Sequence, residues 1–183
     1  MRKTGIIALL AVAAAATILP SCSKTQTKDY TLMMHTSSSA ITIPATNYTT
    51  SSITYGPSVV AYNVDSFIQA QTGTQLNAGN IKTAHIVSIT LTILDTTAAN
   101  NLSNFENIAA SFYSDKYITP YLSAVNAISN IEAAVISLPI DSTEVRNYFG
   151  STFSYQVLGK LRKPATADMH CKVDYVFKLD VNG

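Results

Sequence analysis

From Phe153 to Val181 apolar and polar residues take turns almost without a break. Phe153, Tyr155, Val157 and Leu161 alternate with Ser154, Gln156, Lys160 and Arg162. After the loop Lys163-Pro164-Ala165-Thr166-Ala167-Asp168, a second run sets Cys171, Val173, Tyr175, Phe177, Leu179 and Val181 against His170, Lys172, Asp174, Lys178 and Asp180. Successive side chains of a strand point to opposite faces, so a period-two run buries one face and wets the other. That pattern belongs to antiparallel sheet packed on a core from one side. Read locally, the two runs and their loop predict a terminal β-hairpin.

The same period recurs upstream. Ile81 to Ile93 reads as a long strand with Val87, Ile89, Leu91 and Ile93 inward, and Asn107 to Ser114 as another with Ile108, Ala110 and Phe112 inward. Shorter strands are predicted at Tyr30 to His35, near Ile41, from Ile53 to Tyr62 and from Glu132 to Ile140. Gly56-Pro57 marks the third of these as an edge strand or a bulge. Two short helices are expected: one capped by Asp65 and stopped by Gly73, and one opened by the capping box Asp141-Ser142-Thr143-Glu144 and closed by Gly150. Ten Tyr and no Trp suit strands over helices. The expected fold is mainly β, an antiparallel two-sheet sandwich, immunoglobulin-like but lacking the inter-sheet disulfide and core Trp, with two short helices. A closed barrel is the alternative closure of the same strands.

The amino terminus obeys a different rule. Met1-Arg2-Lys3 is followed by an apolar run from Ile6 to Leu19 and then by Leu19-Pro20-Ser21-Cys22. Charge, apolar stretch and small residues form the layout of a secretory signal, and the run falls short of the roughly 20 residues that span a bilayer. The last four residues resemble the lipobox of a bacterial lipoprotein signal peptide. That resemblance implies cleavage before Cys22 and acylation of its sulfur and nitrogen; a plain secretory peptide cut near Ser21 is the alternative. The chain then divides into a signal at 1–21, a lipid-attached linker at 22–29 and one β domain at 30–183. Several fatty chains hold a protein stably where one holds it marginally.

Removing Arg2 and Lys3 from the 12 basic residues leaves 10 against 11 acidic ones, a net charge of −1. No basic footprint for nucleic acid survives. An acylated Cys22 cannot pair with Cys171, which reads as a buried small hydrophobe.

The order of long strand, Asn104-Phe105-Glu106-Asn107-Ile108 segment, capped short helix and terminal hairpin resembles small cell-envelope lipoproteins of Bacteroidota. The resemblance implies a β-sandwich and supplies no catalytic residues. Ser23 follows the cysteine in place of an inner-membrane Asp, and Ser23-Lys24-Thr25-Gln26 is not acidic. Lipid anchorage in the outer membrane on its periplasmic face is therefore expected, with surface exposure as the alternative.

Catalytic spacing is missing. His35, His85 and His170 stand far apart in strand patterns, without zinc-type spacing. No Gly-x-Ser-x-Gly elbow or phosphate-cradling glycine loop occurs, and no cofactor motif. Asp95-Thr96-Thr97 and Asp141-Ser142-Thr143 are similar to the O-glycosylation sequon of exported Bacteroidota proteins, which marks Thr96 and Ser142 beside their ordinary turn and cap roles. Lys160, Arg162, Lys163 and Lys172 gather about one predicted hairpin loop, where they would meet anionic headgroups or polysaccharide, or simply protect a sheet edge. Tyr113, Tyr117 and Tyr121 offer a sugar-stacking platform or rim packing. The leading expectation is a non-catalytic, lipid-anchored binding or structural protein with an envelope protein or glycan as partner. A carrier of a small apolar ligand or lipid between the sheets, and a hydrolase, are the competitors.

Overall fold

A computed structural model describes residues 28–47, 50–130 and 132–183. The expected signal, Cys22 and most of the expected linker lie outside the described residues. In chain order the elements are β1 (Asp29–Ser37), β2 (Ile41–Ile43), β3 (Ser52–Ala61), α1 (Val64–Thr72), β4 (Ile81–Ile93), β5 (Phe105–Ser114), β6 (Tyr121–Leu122), β7 (Asn126–Ala127), β8 (Val135–Leu138), β9 (Thr152–Leu161) and β10 (Met169–Asn182).

The strands form two antiparallel sheets. The first runs β1-β10-β4-β8, with β2 continuing the line of β1 against β10; the second runs β3-β9-β5-β6, with β7 continuing β6 along β5. Taking each continued pair as one interrupted strand gives eight strands in two sheets of four. Most connections carry the chain from one sheet to the other, and the first strand pairs with the last. This is the jelly-roll order. It differs from the expected immunoglobulin-like arrangement, in which the first two strands are sheet neighbours and so are the last two.

The predicted terminal hairpin is not formed. β9 belongs to the second sheet and β10 to the first. Their inward faces meet across the sandwich, with ring centroids of Tyr155 and Tyr175 5.6 Å apart and those of Phe153 and Phe177 6.2 Å apart. Alternation fixes which face of a strand is buried, and a facing strand satisfies that demand as well as a paired one.

Two further expectations need correction. Val176 pairs with Ser88 and Phe177 with Ile86, so a bulge leaves Val87 unpaired. An extra residue shifts the period by one; Val87 is 42% exposed, and Ile86 and Ala84 are buried in its place. Of the two expected helices only α1 is helical over more than one turn. Asn63, not Asp65, caps it by accepting from the Ser66 amide at 2.8 Å, and Gly73 ends it in the left-handed conformation. Around 141–150 the chain makes a bridge of Glu144 to His85 and a 3-10 turn at Arg146–Tyr148. The Glu144 carboxylate accepts from the Ala84 amide at 2.8 Å and the Arg146 amide at 2.9 Å, which ties the segment to β4 in place of closing a capping box.

The core is aromatic at its centre. Phe112 on β5 reaches Tyr175 at 5.1 Å and Phe177 at 5.4 Å on the opposite sheet, and Tyr148 at 4.8 Å. Burying each ring stabilises the fold by about 2 to 3 kcal/mol. Gly159 makes room for this packing, since a Cβ there would lie 2.8 Å from the Phe105 ring.

Candidate ligand cleft

The two ends of the sandwich are built differently. One end gathers the loops 94–104 and 162–168. The other carries α1, the 3-10 turn Ala78–Asn80, the segment 149–151 and the start of β1, where the Gly183 amide donates to the Lys28 carbonyl at 3.1 Å.

At this second end a cleft of about 690 Å³ opens between Tyr62, Asn63, Val64 and Asp65 on one side and Ala78, Phe149, Gly150 and Ser151 on the other. Its volume lies in the range of small-molecule sites. Local bonds hold each wall. The Tyr62 amide donates to the Ser151 carbonyl at 2.9 Å, and the Ala78 amide donates to the Asp65 carboxylate at 2.7 Å, clamping the 3-10 turn onto α1.

Asp115, at the end of β5, fixes the third segment. Its carboxylate accepts from the Ser151 hydroxyl at 2.6 Å, the Ser151 amide at 2.9 Å and the Thr152 amide at 3.0 Å. These bonds, the Ser151 hydroxyl first, hold the Asp115 carboxyl below its ordinary range. Gly150 lets the carboxylate approach, because a Cβ there would fall on it. Tyr62 leans edge-on against Phe153 with centroids 6.3 Å apart, and burial pushes its phenol above the ordinary value.

The lining therefore combines one accessible ring, that of Tyr62, with an amide, a hydroxyl and one carboxylate, and holds no cation; Phe149 is buried against Phe153 and Phe177. The lining presents no histidine to activate Ser151, whose hydroxyl already donates to Asp115.

The residues singled out from sequence lie elsewhere and are dispersed. Lys160 pairs with Glu106 at 2.8 Å and Lys172 with Asp174 at 2.9 Å. Because β9 and β10 belong to different sheets, these two lysines lie on opposite outer faces. Arg162 donates to the carbonyls of Ile128 at 2.6 Å and Ser103 at 3.4 Å, so it braces loops. The Lys163 amide donates to the Asn104 carbonyl at 3.4 Å. The four cations form no common patch.

Thr96 and Ser142 are both exposed, at opposite ends of the sandwich. Thr96 donates to the Ile93 carbonyl at 3.2 Å, and Asp141 beside Ser142 accepts from the Thr143 amide at 3.0 Å. The three tyrosines separate: Tyr121 is buried on Phe112 at 5.5 Å, Tyr117 meets Tyr148 edge-on at 4.8 Å, and Tyr113 belongs to the outer face of the second sheet.

His170 binds Asp95 twice, through its amide at 2.9 Å and its Nδ1 at 2.8 Å. The bond from the His170 amide is the first cause holding Asp95 below the usual carboxylate range. His35 and His85 belong to the outer side of the first sheet, away from this pair. Among the described residues no group of three or more His, Cys, Asp or Glu side chains is placed to hold a metal ion. Cys171 is buried with its thiol directed at the Ile41 carbonyl, 3.6 Å away, and burial pushes that thiol up to about 12. No helix among the described residues is long and apolar enough to cross a membrane.

No protein family matches the chain, and no curated protein matches it in sequence. Some solved structures align with it weakly. The semi-empty virus-like particle of the giant freshwater prawn Macrobrachium rosenbergii nodavirus is 11% identical, with TM-score 0.34, over 98% of this chain and 95% of that one. Mud crab tombus-like virus is 9% identical, with TM-score 0.33, over 100% and 92%. Desmodium yellow mottle tymovirus is 11% identical, with TM-score 0.27, over 100% and 97%. Likenesses this slight carry no argument about function, and the fold assignment rests on the strand order.

Proposed function

We propose that the protein is a non-catalytic, lipid-anchored binding protein of the bacterial cell envelope, tethered through Cys22 to the outer membrane on its periplasmic side. Its cleft takes an uncharged polar ligand of the glycan class. The observation that carries this reading is the position of the cleft: it opens at the end of the sandwich where β1 begins, and five residues separate Cys22 from Lys28. The six extended steps from Cys22 to Lys28 reach about 20 Å. The tether thus holds the cleft beside the membrane, where envelope glycans lie within reach.

Alkynyl palmitate fed to the native host should label the wild-type chain and not Cys22→Ala; equal labelling of both removes the anchor. Binding is tested with an N-acetylglucosamine trimer, following the Ser151 and Ala78 amide resonances by NMR. Tyr62→Ala should weaken the association about tenfold. Absence of shifts at those amides in the wild type, or shifts indifferent to Tyr62→Ala, removes the cleft as the glycan site.

A further inference from the structure

The four principal strands and the short continuation of the second sheet carry almost no charge. Across Ser52–Ala61, Thr152–Leu161, Phe105–Ser114 and Tyr121–Ala127 the charged residues are Glu106 and Lys160, which neutralise each other at 2.8 Å. The outward rows of this sheet follow from its register. Val59, Ser154 and Tyr113 form one row; Gln156, Ser111 and Leu122 form the next; Thr54, Leu158 and Ala109 form a third. Small residues lie low in the middle, where Ala109, Ser111 and Ser154 are buried, and Val59 and Leu122 at the sides stand out, 60% and 48% exposed. Within the face, the Ser111 hydroxyl donates to the Gln156 side-chain oxygen at 3.3 Å.

We infer that this outer face is the self-association surface of the protein and that its occupant is the same face of a second copy. Charge decides the occupant. A charged partner would lose its hydration against a face that returns no ion pair. The outer side of the first sheet, with Lys172, Asp174, Lys178 and Asp180, is excluded on that ground, and the uncharged face of another copy gives up no ionic hydration. Area is sufficient: four strands at about 4.8 Å spacing and about eight residues of length cover about 500 Å² per copy, or about 1,000 Å² in all. That is the lower bound for a specific interface.

Orientation agrees. A two-fold axis parallel to the strands, lying between the faces, leaves both β1 starts pointing the same way, so both copies attach to one membrane. Confinement to that plane raises their effective concentration. This last step rests on the Cys22 anchor; the choice of face does not. The two-fold also sets Val59, on edge strand β3, opposite the β6 side of the partner copy, where Leu122 lies.

The test uses full-length chains in their native membranes. Val59→Cys and Leu122→Cys each add one accessible thiol, since Cys171 is buried and Cys22 would be acylated. Under a short bis-maleimide, coexpressed Val59→Cys and Leu122→Cys chains should cross-link to each other in preference to themselves. Adding Leu158→Lys should lower that yield about tenfold, and adding Met33→Lys on the other sheet should leave it unchanged. Membrane-bound chains that fail to cross-link, or cross-link regardless of Leu158→Lys, overturn the proposal. Chains found free of the membrane overturn the anchor alone. Sedimentation equilibrium of the soluble chain then decides the face: a dimer abolished by Leu158→Lys upholds it, and a monomer at millimolar concentration refutes it.

Discussion

The two outer faces of this sandwich come from sheets of equal strand number and one shared core, yet they differ in kind. On the first sheet Asp180 accepts the hydroxyls of Thr31 and Thr83, both at 2.8 Å, Ser37 donates to Asp174, and Lys172 pairs with that same carboxylate. On the second sheet the equivalent rows hold Ser111, Gln156, Leu158 and Ala109. Inward residues are constrained by packing against one another and leave the outward ones free to differ. A face that stays charged is kept in water, whereas one stripped of charge across its width is cheap to cover.

The largest expected effect lies between the faces. Phe112→Ala removes the ring that reaches from the neutral sheet to Tyr175 and Phe177 behind the charged one, and should cost about 3 to 5 kcal/mol in urea denaturation. A cost under about 1 kcal/mol would mean that the sheets are held together elsewhere.

A smaller effect separates the faces by pH. Hydrogen bonds from Thr31, the larger cause, and from Thr83 hold the Asp180 carboxyl below its ordinary range. A carboxyl depressed by folding adds stability above its unfolded value of about 3.9, and that stability is lost as pH falls through the folded value. Asp180→Asn should therefore narrow the gap between urea midpoints at pH 7 and pH 3, and Ser111→Ala on the neutral face should leave the gap unchanged. An unaltered gap in Asp180→Asn would show that the charged face contributes nothing to acid stability.

Strand identity was legible because period two is local: Cys171, Val173, Tyr175, Phe177, Leu179 and Val181 are buried as their alternation requires, as are Ile108, Ala110 and Phe112, although Ala109 and Ser111 between them are buried too. Pairing was not, because a residue reports that its face is covered and not by what. Phe153 is satisfied by Phe177 across the core as well as it would be by a neighbour in the same sheet. Val87 was misplaced because a bulge leaves no mark in composition. The cleft was less legible still, since it is assembled from residues 61–65, 78 and 149–151 and braced by Asp115, segments far apart in the chain. Gly150-Ser151, next to buried Phe149, was its one local trace, and in sequence that glycine reads as a helix stop.

β10 lies between β1 and β4 at the middle of the first sheet, and it follows every other strand in the chain. Until Met169–Asn182 has been synthesised, Asp29–Ser37 and Ile81–Ile93 have no common neighbour, and Phe112 on the second sheet lacks Tyr175 and Phe177, the rings it packs upon. The domain is thus assembled around its latest arrival. Contacts so distant in sequence delay closure.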